Sequence, residues 1–157
     1  MPSRRKLIEL TADEVRDYLD AEKTLIIVSN GHNGYPHPMP MWFAHEPDGT
    51  IRCTTFGKSQ KVLNWRRNPK ATLLVESGVE YAELKGVVIY ATCEIIEDLD
   101  AVADTLVAIN SRGRDLDDGA RAKLREAVSG TASKRVVLEF TPKRYVTWDH
   151  AKLGGRY

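Results

Sequence analysis

The chain has 157 residues, of which 42% are hydrophobic, and its charge is nearly balanced, with 23 basic and 22 acidic residues. This length predicts a single domain over residues 1–157, able to bury roughly 70% of the surface that the unfolded chain exposes. Balanced charge argues against binding to nucleic acid or to an anionic membrane through overall charge. No apolar stretch approaches the roughly 20 residues of a membrane span, and the basic start lacks a signal-peptide core, so a soluble cytoplasmic protein is expected.

The first part of the chain predicts one helix followed by short strands. Thr11 and Glu14 form a capping box, which opens an amphipathic helix of about three turns. Its core-facing residues are expected to be Val15, Tyr18 and Leu19. Strands are predicted at 23–30, 37–45 and 50–56. Prolines 36, 38 and 40 place the start of the second strand at a sheet edge or in irregular structure, because proline cannot donate a ladder hydrogen bond.

The second part returns to strands, then helices, then strands. Strands are predicted at 71–76, 84–96, 134–141 and 143–149, with a possible bend at Gly86. Helical pattern runs from Asp98 to about Ser129, with a turn at Gly113, and we expect these helices to pack outside a barrel. Their apolar stripes are Leu99, Val102, Leu106 and Ile109, and then Ala122, Leu124 and Val128. About six or seven strands without a parallel crossover series predict an α+β fold built on a small antiparallel barrel.

The two cysteines and four histidines suggest neither a disulfide scaffold nor a metal site. Cys53 and Cys93 lie in strand-like runs without Cys-x-x-Cys spacing, which predicts buried free thiols. The histidines lack paired cysteines or helix-spaced carboxylates, so a zinc or iron site is not expected.

The segment Thr55–Pro69 is the most informative part of the chain, because a strand pattern gives way to hydroxyls and cations where a short helix begins. Ser59 is placed to cap the helix, whose free N–H groups favour an anion. Lys58 and Lys61 share one face, and Asn64 lies one turn beyond Lys61. The pattern therefore indicates an anion site of the kind that binds phosphate. Charge and capping alone favour the alternative, a capped surface helix with solvated lysines. The residues expected to seat the helix are Val62, Leu63 and Trp65.

The pattern Thr55-x-x-x-Ser59-x-Lys61, followed by Asn68-Pro69, resembles the FMN-phosphate segment of the pyridoxamine 5′-phosphate oxidase-like split β-barrels. The tail from Pro142 to Gly155 and the run Met41-Trp42-Phe43-Ala44 look most like the actinobacterial flavin/deazaflavin oxidoreductases of that superfamily. Within them, the chain is similar to the B branch, which often binds coenzyme F420. The resemblance covers roughly residues 10–155 and implies a split antiparallel β-barrel of about six or seven strands with peripheral helices.

This resemblance implies roles for particular residues. Lys61 and Ser59 would bind the cofactor phosphate, Thr55 would hydrogen-bond near it, and Lys58 would add positive charge. Met41 and Trp42 would back the cofactor ring, as an apolar floor suits a planar cofactor. A place for Trp42 in the core is the alternative.

The resemblance also implies a homodimer with the site at the subunit interface. Tyr81 and Lys85, together with the segment from Trp148 to Lys152, would complete the pocket of the other subunit. The alternatives are a strand-end aromatic for Tyr81 and a barrel plug for Trp148.

The chain departs from the oxidase pattern at three places. Gln60 stands where the family has a second cation, and methionine and proline replace an arginine early in the strand of Met41. The closing segment that grips pyridoxal phosphate is reduced to Trp148 and Lys152-Leu-Gly-Gly, so oxidation of pyridoxamine phosphate is not expected. Asp149 and His150 are predicted on opposite faces of a strand, which leaves no dedicated acid.

The expected function is an F420-dependent oxidoreductase that passes a hydride to an electron-poor small organic acceptor. An FMN-dependent oxidoreductase is the first alternative. The second is a non-catalytic carrier of a flavin-like cofactor, because a shared fold does not establish catalysis.

Overall fold

Residues 3–155 are described by the structure, a computed structural model; the ends of the predicted domain, residues 1–2 and 156–157, lie outside them. The helices are α1 Arg4–Ile8, α2 Ala12–Ala21, α3 Gln60–Arg67, α4 Leu99–Asn110 and α5 Asp118–Ala132. The strands are β1 Thr24–Asn30, β2 Pro36–Trp42, β3 Ala44–His45, β4 Ile51–Phe56, β5 Lys70–Ser77, β6 Lys85–Ile96 and β7 Arg135–Asp149. Short 3-10 turns cover Tyr81–Glu83 and His150–Leu153.

All of these strands belong to one antiparallel sheet in the order β2-β1-β5-β6-β7-β4-β3. The sheet curls around an apolar core into a half-barrel, which confirms the predicted α+β split-barrel fold. Alternate residues of each strand face this core because side chains alternate along a strand. The largest fully buried side chains include Phe43, Phe140, Leu19, Leu25, Ile27, Ile51, Leu73, Ile89 and Leu138.

Strand β2 lies at the sheet edge, as its prolines predict. The N–H of Gly31 donates to the carbonyl of Tyr35 at 3.0 Å, so odd-numbered residues of β2 direct their main chain toward β1. The prolines at even positions therefore face the open side. A ladder to β1 forms without their missing N–H groups, and the outer edge has few donors to offer another strand.

The prediction of two strands at 134–141 and 143–149 is wrong, because β7 is continuous. Tyr90 pairs with Arg144 and Ala91 with Pro142, so Lys143 is an extra residue in β7. Such a bulge bends a strand without ending it. Pro142 at this bulge made the sequence look interrupted.

The bend predicted at Gly86 is also wrong, because the irregularity of β6 lies between Tyr90 and Ala91. Gly86 instead makes room for the indole of Trp148, its cross-strand partner. A Cβ at position 86 would lie 2.3 Å from a carbon of that ring. The glycine is required here by close packing rather than by a turn.

Helix α2 has the predicted capping box: the Glu14 N–H donates to Thr11 Oγ1 at 3.2 Å, and the Thr11 N–H to Glu14 Oε2 at 2.7 Å. Its predicted core residues are buried. Helix α4 packs on the outer side of β4 and β7 and buries three of its four predicted stripe residues. Leu99 is exposed, because this first helical residue lies one turn before the packed stripe.

Helix α5 packs mainly against α4 and lies further from the core than predicted. Ala122 is exposed, and Leu124 and Val128 are only half-buried, whereas Ala132 near its end is buried. Helix α1 was not predicted. No helix among residues 3–155 has the length and hydropathy to span a membrane.

Both thiols are free and buried, as predicted. Burial raises the pKa of the Cys53 thiol, and it raises that of Cys93 to about 12.

Candidate functional site

The four residues predicted to hold a phosphate meet where β4 passes into α3. Thr55 is buried near the end of β4, and Ser59 occupies the N-cap position of α3. The Ser59 hydroxyl does not cap the helix as predicted, because it lies 3.4 Å from Thr55 Oγ1 and accepts no helical N–H. The first N–H groups of α3 therefore lack a side-chain acceptor, and two hydroxyls lie beside them.

Lys61 is the least ordinary residue of this group. It is only 8% exposed, and its ammonium has neither a carboxylate partner nor a hydrogen-bond acceptor among residues 3–155. Burial lowers the pKa of the Lys61 ammonium, while nearby Cys53 acts in the opposite direction. The alternative of two solvated lysines is therefore wrong for Lys61 but holds for exposed Lys58.

This arrangement fits a phosphate group. A buried cation without a counterion is costly, since the charge has lost its water and gained no partner. A dianion placed between Lys61, the hydroxyls of Thr55 and Ser59 and the free N–H groups of α3 would supply that partner. The site can therefore bind and orient an anionic group at the end of the barrel.

Asn64 lies on α3 one turn after Gln60, but its amide is already engaged within the protein. Its Nδ2 donates to Ser29 Oγ at 2.9 Å, and its Oδ1 accepts from Gln60 Nε2 at 3.0 Å. This fully buried residue joins α3 to β1. Leu63 is exposed, contrary to the prediction, so Val62 and Trp65 alone seat the helix.

Met41 and Trp42 are adjacent on β2 and point to opposite sides of the sheet. Met41 packs against the core, whereas Trp42 is 51% exposed on the outer face, with Lys23 Nζ 4.0 Å from its ring centroid. The alternative that places Trp42 in the core is wrong. Only one of the two side chains can face a given cofactor ring from this strand.

Arg112 holds the chain where β2 ends and β3 begins, a role that the sequence did not reveal. Its guanidinium donates to the carbonyls of Phe43 and Leu19 and lies 4.0 Å from the centroid of the Phe43 ring. Burial lowers the pKa of this arginine. In the sequence, Arg112 is one residue of an apparent turn at Gly113, so no local pattern marks it.

Tyr81, Lys85, Trp148 and Lys152 lie together at the other end of β6. The strand registers show where Lys61 lies along β6. Lys61 is near Cys53 of β4, Cys53 pairs with Leu138 of β7, and Leu138 pairs with Ile95 of β6. Ile95 and Lys85 are ten residues apart on β6, which at about 3.3 Å per residue is roughly 33 Å. Within one chain, the structure does not bring the two predicted groups into one pocket.

The contacts at that far end are specific. The Tyr81 ring lies 4.4 Å from the His150 ring, and His150 Nδ1 lies 2.9 Å from the Tyr81 carbonyl. Lys85 Nζ is 3.7 Å from Asp149 Oδ2. His150 belongs to a 3-10 turn, so the prediction of a strand at His150 is wrong.

Lys152 ties the tail to the start of α2. Its Nζ donates to Glu14 Oε2 at 2.7 Å and to the Glu9 carbonyl at 2.8 Å. The ammonium predicted to meet a cofactor therefore has protein partners in this chain.

A small cavity of about 110 Å³ adjoins the start of α3, beside Gln60 and Asn64. His37 also lines it, and its Nδ1 is buried without a hydrogen-bond partner. From the sequence, His37 was assessed only as a possible metal ligand. No group of three or more His, Cys, Asp or Glu side chains within residues 3–155 is arranged to hold a metal ion.

The family model of pyridoxamine 5'-phosphate oxidase matches residues 11–149, nearly the whole chain. The chain belongs to this family. Pyridoxamine 5'-phosphate oxidase-like proteins are flavin-binding oxidoreductases, and the cradle around Lys61 lies within the matched region. No curated protein matches.

Solved structures similar to this chain include a conserved hypothetical protein from Mycobacterium tuberculosis. It is 31% identical, has a TM-score of 0.84, and the match covers 98% of this chain and 93% of that protein. A protein described as an F420 reductase is 19% identical, with a TM-score of 0.61 and coverage of 83% and 94%. HutZ, a heme storage protein from Vibrio cholerae, is 14% identical, with a TM-score of 0.59 and coverage of 89% and 97%. The last two likenesses show the fold alone.

Proposed function

We propose that this protein is an F420-dependent oxidoreductase that transfers a hydride from the reduced deazaflavin to an electron-poor small organic acceptor. Enones, quinone-like compounds and tetrapyrroles are acceptors of this class. The buried ammonium of Lys61 supports the proposal, because it lies beside the hydroxyls of Thr55 and Ser59 at the start of α3 and has no counterion among residues 3–155. Coenzyme F420, when bound, supplies the hydride, and the chain supplies binding, orientation and exclusion of water.

Cations beyond the cradle favour F420 over FMN. The Gly57 N–H donates to the Lys134 carbonyl at 3.0 Å, which joins the loop before α3 to the start of β7. Next to Lys134, the Arg135 guanidinium lies 4.5 Å from the Phe56 ring centroid, and its Nε is buried without a partner. With exposed Lys58, these groups form a basic surface next to the phosphate site. Such a surface suits the anionic oligoglutamate tail of F420, whereas FMN ends at its phosphate.

A second copy of the chain is part of the proposal, because the two predicted groups lie at opposite ends of β6. The outer face of the sheet offers an interface, where a row of apolar residues crosses five strands. The row, read from the registers, is Pro40, Ile26, Leu74, Val88 and Val146. These side chains are exposed or only half-buried in the single chain. A homodimer packed through this face would bury them.

In that dimer, each site would combine residues of both chains. Lys61, Ser59 and Thr55 of one chain would hold the phosphate, and the strand of Met41 would border the ring. Tyr81, Lys85 and the segment from Trp148 would close the pocket from the partner. Lys152 would act through Glu14, by fixing the tail that carries Trp148.

Two alternative functions are each supported by an observation. The phosphate cradle serves FMN equally well, which supports an FMN-dependent oxidoreductase. A non-catalytic cofactor carrier is supported by the site itself, because Asp149 and His150 are hydrogen-bonded to main-chain groups and no acid–base pair is assembled within residues 3–155.

Titration of the purified protein with F420 and with FMN, followed by fluorescence, tests the cofactor. We expect F420 to bind more tightly, and its affinity to increase with the number of glutamates in its tail. A Lys134→Gln, Arg135→Gln double variant should lose this dependence on tail length but keep the affinity for a tail-free cofactor. Tight FMN binding without F420 binding would refute the assignment. Turnover of reduced F420 with a panel of acceptors separates the enzyme from the carrier.

Mixed dimers test the shared site. Lys61→Met and Tyr81→Ala chains should each bind poorly alone, but a mixed dimer contains one site with neither change. If chains exchange at random, about a quarter of the sites should recover full affinity. Sedimentation confirms the dimer. A dimer without recovery would show that each site belongs to one chain.

A further inference from the structure

The small cavity beside α3 contains a histidine nitrogen that the fold leaves unpaired. Nδ1 of His37 is buried and has no hydrogen-bond partner among residues 3–155, and the cavity that His37 lines has a volume of about 110 Å³. A buried polar atom without a partner is costly, so such atoms usually have a water or a ligand beside them. At about 30 Å³ for each water, the cavity has room for about three waters or for part of a small ligand.

The strand register fixes the direction of the His37 side chain. His37 of β2 is paired with Ser29 of β1, and the side chains of directly paired residues lie on the same face of a sheet. Ser29 is fully buried, and its Oγ accepts from Nδ2 of Asn64 at 2.9 Å, so α3 covers this face. The His37 side chain therefore lies on the inner face of the sheet, beside α3.

The surroundings of His37 contain no negative charge that could pair with an imidazolium. Among residues 3–155, no carboxylate lines the cavity, and its other titratable lining residues are the exposed His32 and Tyr35. On α3, the Arg67 guanidinium approaches the cavity lining, with Nη2 3.4 Å from Asn64 Oδ1. A protonated His37 would therefore need a counterion from outside this part of the chain.

Gln60 connects the cavity to the phosphate site. Its side chain lines the cavity, whereas its main-chain N–H belongs to the first turn of α3, between Ser59 and Lys61. In this turn, the N–H groups of Val62 and Leu63 both donate to the Ser59 carbonyl. The N–H groups of Gln60 and Lys61 have no main-chain acceptor within residues 3–155. An anion that these two N–H groups hold is therefore next to the cavity that contains Nδ1 of His37.

We propose that His37 is a second cationic ligand of the anion held at the start of α3, and that binding of this anion is coupled to protonation of the imidazole. The inference rests on the proposed function, since the anion is the phosphate group of the cofactor. Lys61 and His37 hold it together with the free N–H groups of the first turn. On binding, the imidazole takes up a proton from the solvent, and the imidazolium pairs with the anion.

Sulfate tests this coupling without the cofactor. It keeps two negative charges from about pH 5 to 9, so any change in its affinity over that range comes from titratable groups of the protein. Because imidazole titrates near neutral pH and its protonated form binds the anion, the sulfate affinity should fall about tenfold between about pH 5.5 and 8. Isothermal titration calorimetry in two buffers of different ionisation enthalpy should show that sulfate binding at neutral pH takes up protons.

The variant His37→Gln isolates the titration. Glutamine is of similar size and forms hydrogen bonds, but it cannot take up a proton. This variant should bind sulfate with an affinity that does not change with pH, and without proton uptake. His32→Gln is the matched control, because His32 lines the same cavity but is exposed, and it should keep the pH dependence of the unchanged protein.

Nitrogen NMR of the unchanged protein gives a reading that does not depend on the folding of a variant. At neutral pH, sulfate should shift the imidazole nitrogens of His37 toward the values of the charged form and leave those of His32 unchanged. Sulfate binding without this shift, or without proton uptake, overturns the role of His37.

Lys61→Met separates a failure of this inference from a failure of the proposed function. We expect this variant to bind sulfate at least tenfold more weakly at every pH. If it binds sulfate normally, the phosphate cradle is refuted and the role of His37 with it. If it binds weakly but His37→Gln keeps the pH dependence of the unchanged protein, the cradle stands and only the role of His37 is refuted.

Discussion

Replacing Lys61 with methionine should have two effects of opposite sign, one on cofactor binding and one on stability. Methionine keeps most of the length and apolar contact of the lysine side chain but removes the ammonium. Since Lys61 is 8% exposed and no carboxylate among residues 3–155 pairs with it, we expect its charge to serve a ligand rather than the fold.

The loss of binding follows from one charge-assisted hydrogen bond. Such a bond to a phosphate contributes about 1.5 to 3 kcal/mol, so the Kd of the cofactor should rise by about 10- to 150-fold. Fluorescence titration measures this change. A deazaflavin analogue without the phosphate should bind the variant and the unchanged protein equally, because it never contacts Lys61.

The free protein should become more stable, because an unpaired buried charge is removed. Substitutions that stabilise a protein commonly raise its free energy of unfolding by about 0.5 to 2 kcal/mol, and we expect a gain of this size here. Each kcal/mol of added stability raises the Tm of a protein of this size by about 2 to 4 °C, so calorimetry should show a higher Tm for the variant.

The pH dependence of this gain has a definite sign. The pKa of Lys61 is lowered in the folded protein from its ordinary value of 10.5. Below the lowered pKa the ammonium is charged in both states, so its burial destabilises the fold and the gain from methionine is complete. As pH rises from the folded pKa to 10.5 the charge is lost, and the gain should disappear.

Lys123→Met on the surface of α5 is the matched control and should change neither property. If Lys61→Met bound the cofactor normally, the phosphate cradle would be refuted. If it were less stable than the unchanged protein, the ammonium would have a partner within the fold.

Three further predictions concern the fold. Gly86→Ala should destabilise the protein by about 1 to 3 kcal/mol in denaturant unfolding, because the Cβ of the new alanine would meet the Trp148 ring. The control is Gly130→Ala, which lies in open space on α5 and should stabilise the protein by about 0.5 to 1 kcal/mol. Equal effects of the two substitutions would contradict the packing argument. Arg112→Met should cost about 2 to 4 kcal/mol by leaving the Phe43 and Leu19 carbonyls unpaired, and Arg114→Met is its control. A disulfide reagent at pH 8 should label neither Cys53 nor Cys93 until the protein unfolds, because burial raises both pKa values; fast labelling of the native protein would exclude the packed core described here.

Local patterns predicted much of the fold because their causes are local. The capping box of α2 and the edge position of β2 follow from side chains that act on neighbouring main-chain groups. The number of strands after residue 134 was harder to predict. A proline at a bulge resembles a strand end, and only the ladder to β6 shows that β7 continues.

The site was predictable to the extent that its residues are close in sequence. The stretch from Thr55 to Lys61 carries hydroxyls, cations and a helix start, so its chemistry is visible without a structure. Burial of Lys61 was not visible, because it depends on Cys53 and on the way α3 covers the end of the barrel. Arg112 was missed for the same reason, since its partners Phe43 and Leu19 are far away in sequence.

The position of the second group of predicted residues follows from the length of β6. A strand that spans roughly 33 Å between Lys85 and Ile95 cannot bring its two ends to one ligand. A two-fold axis near the middle of the exposed apolar row would reverse β6 in the partner, so the end with Lys85 would approach the end with Lys61 of the first chain. The same symmetry would create an equal site at the other end. If the site is shared in this way, one cofactor should bind per chain, and a charge placed at Leu74 in the centre of the row should abolish that binding.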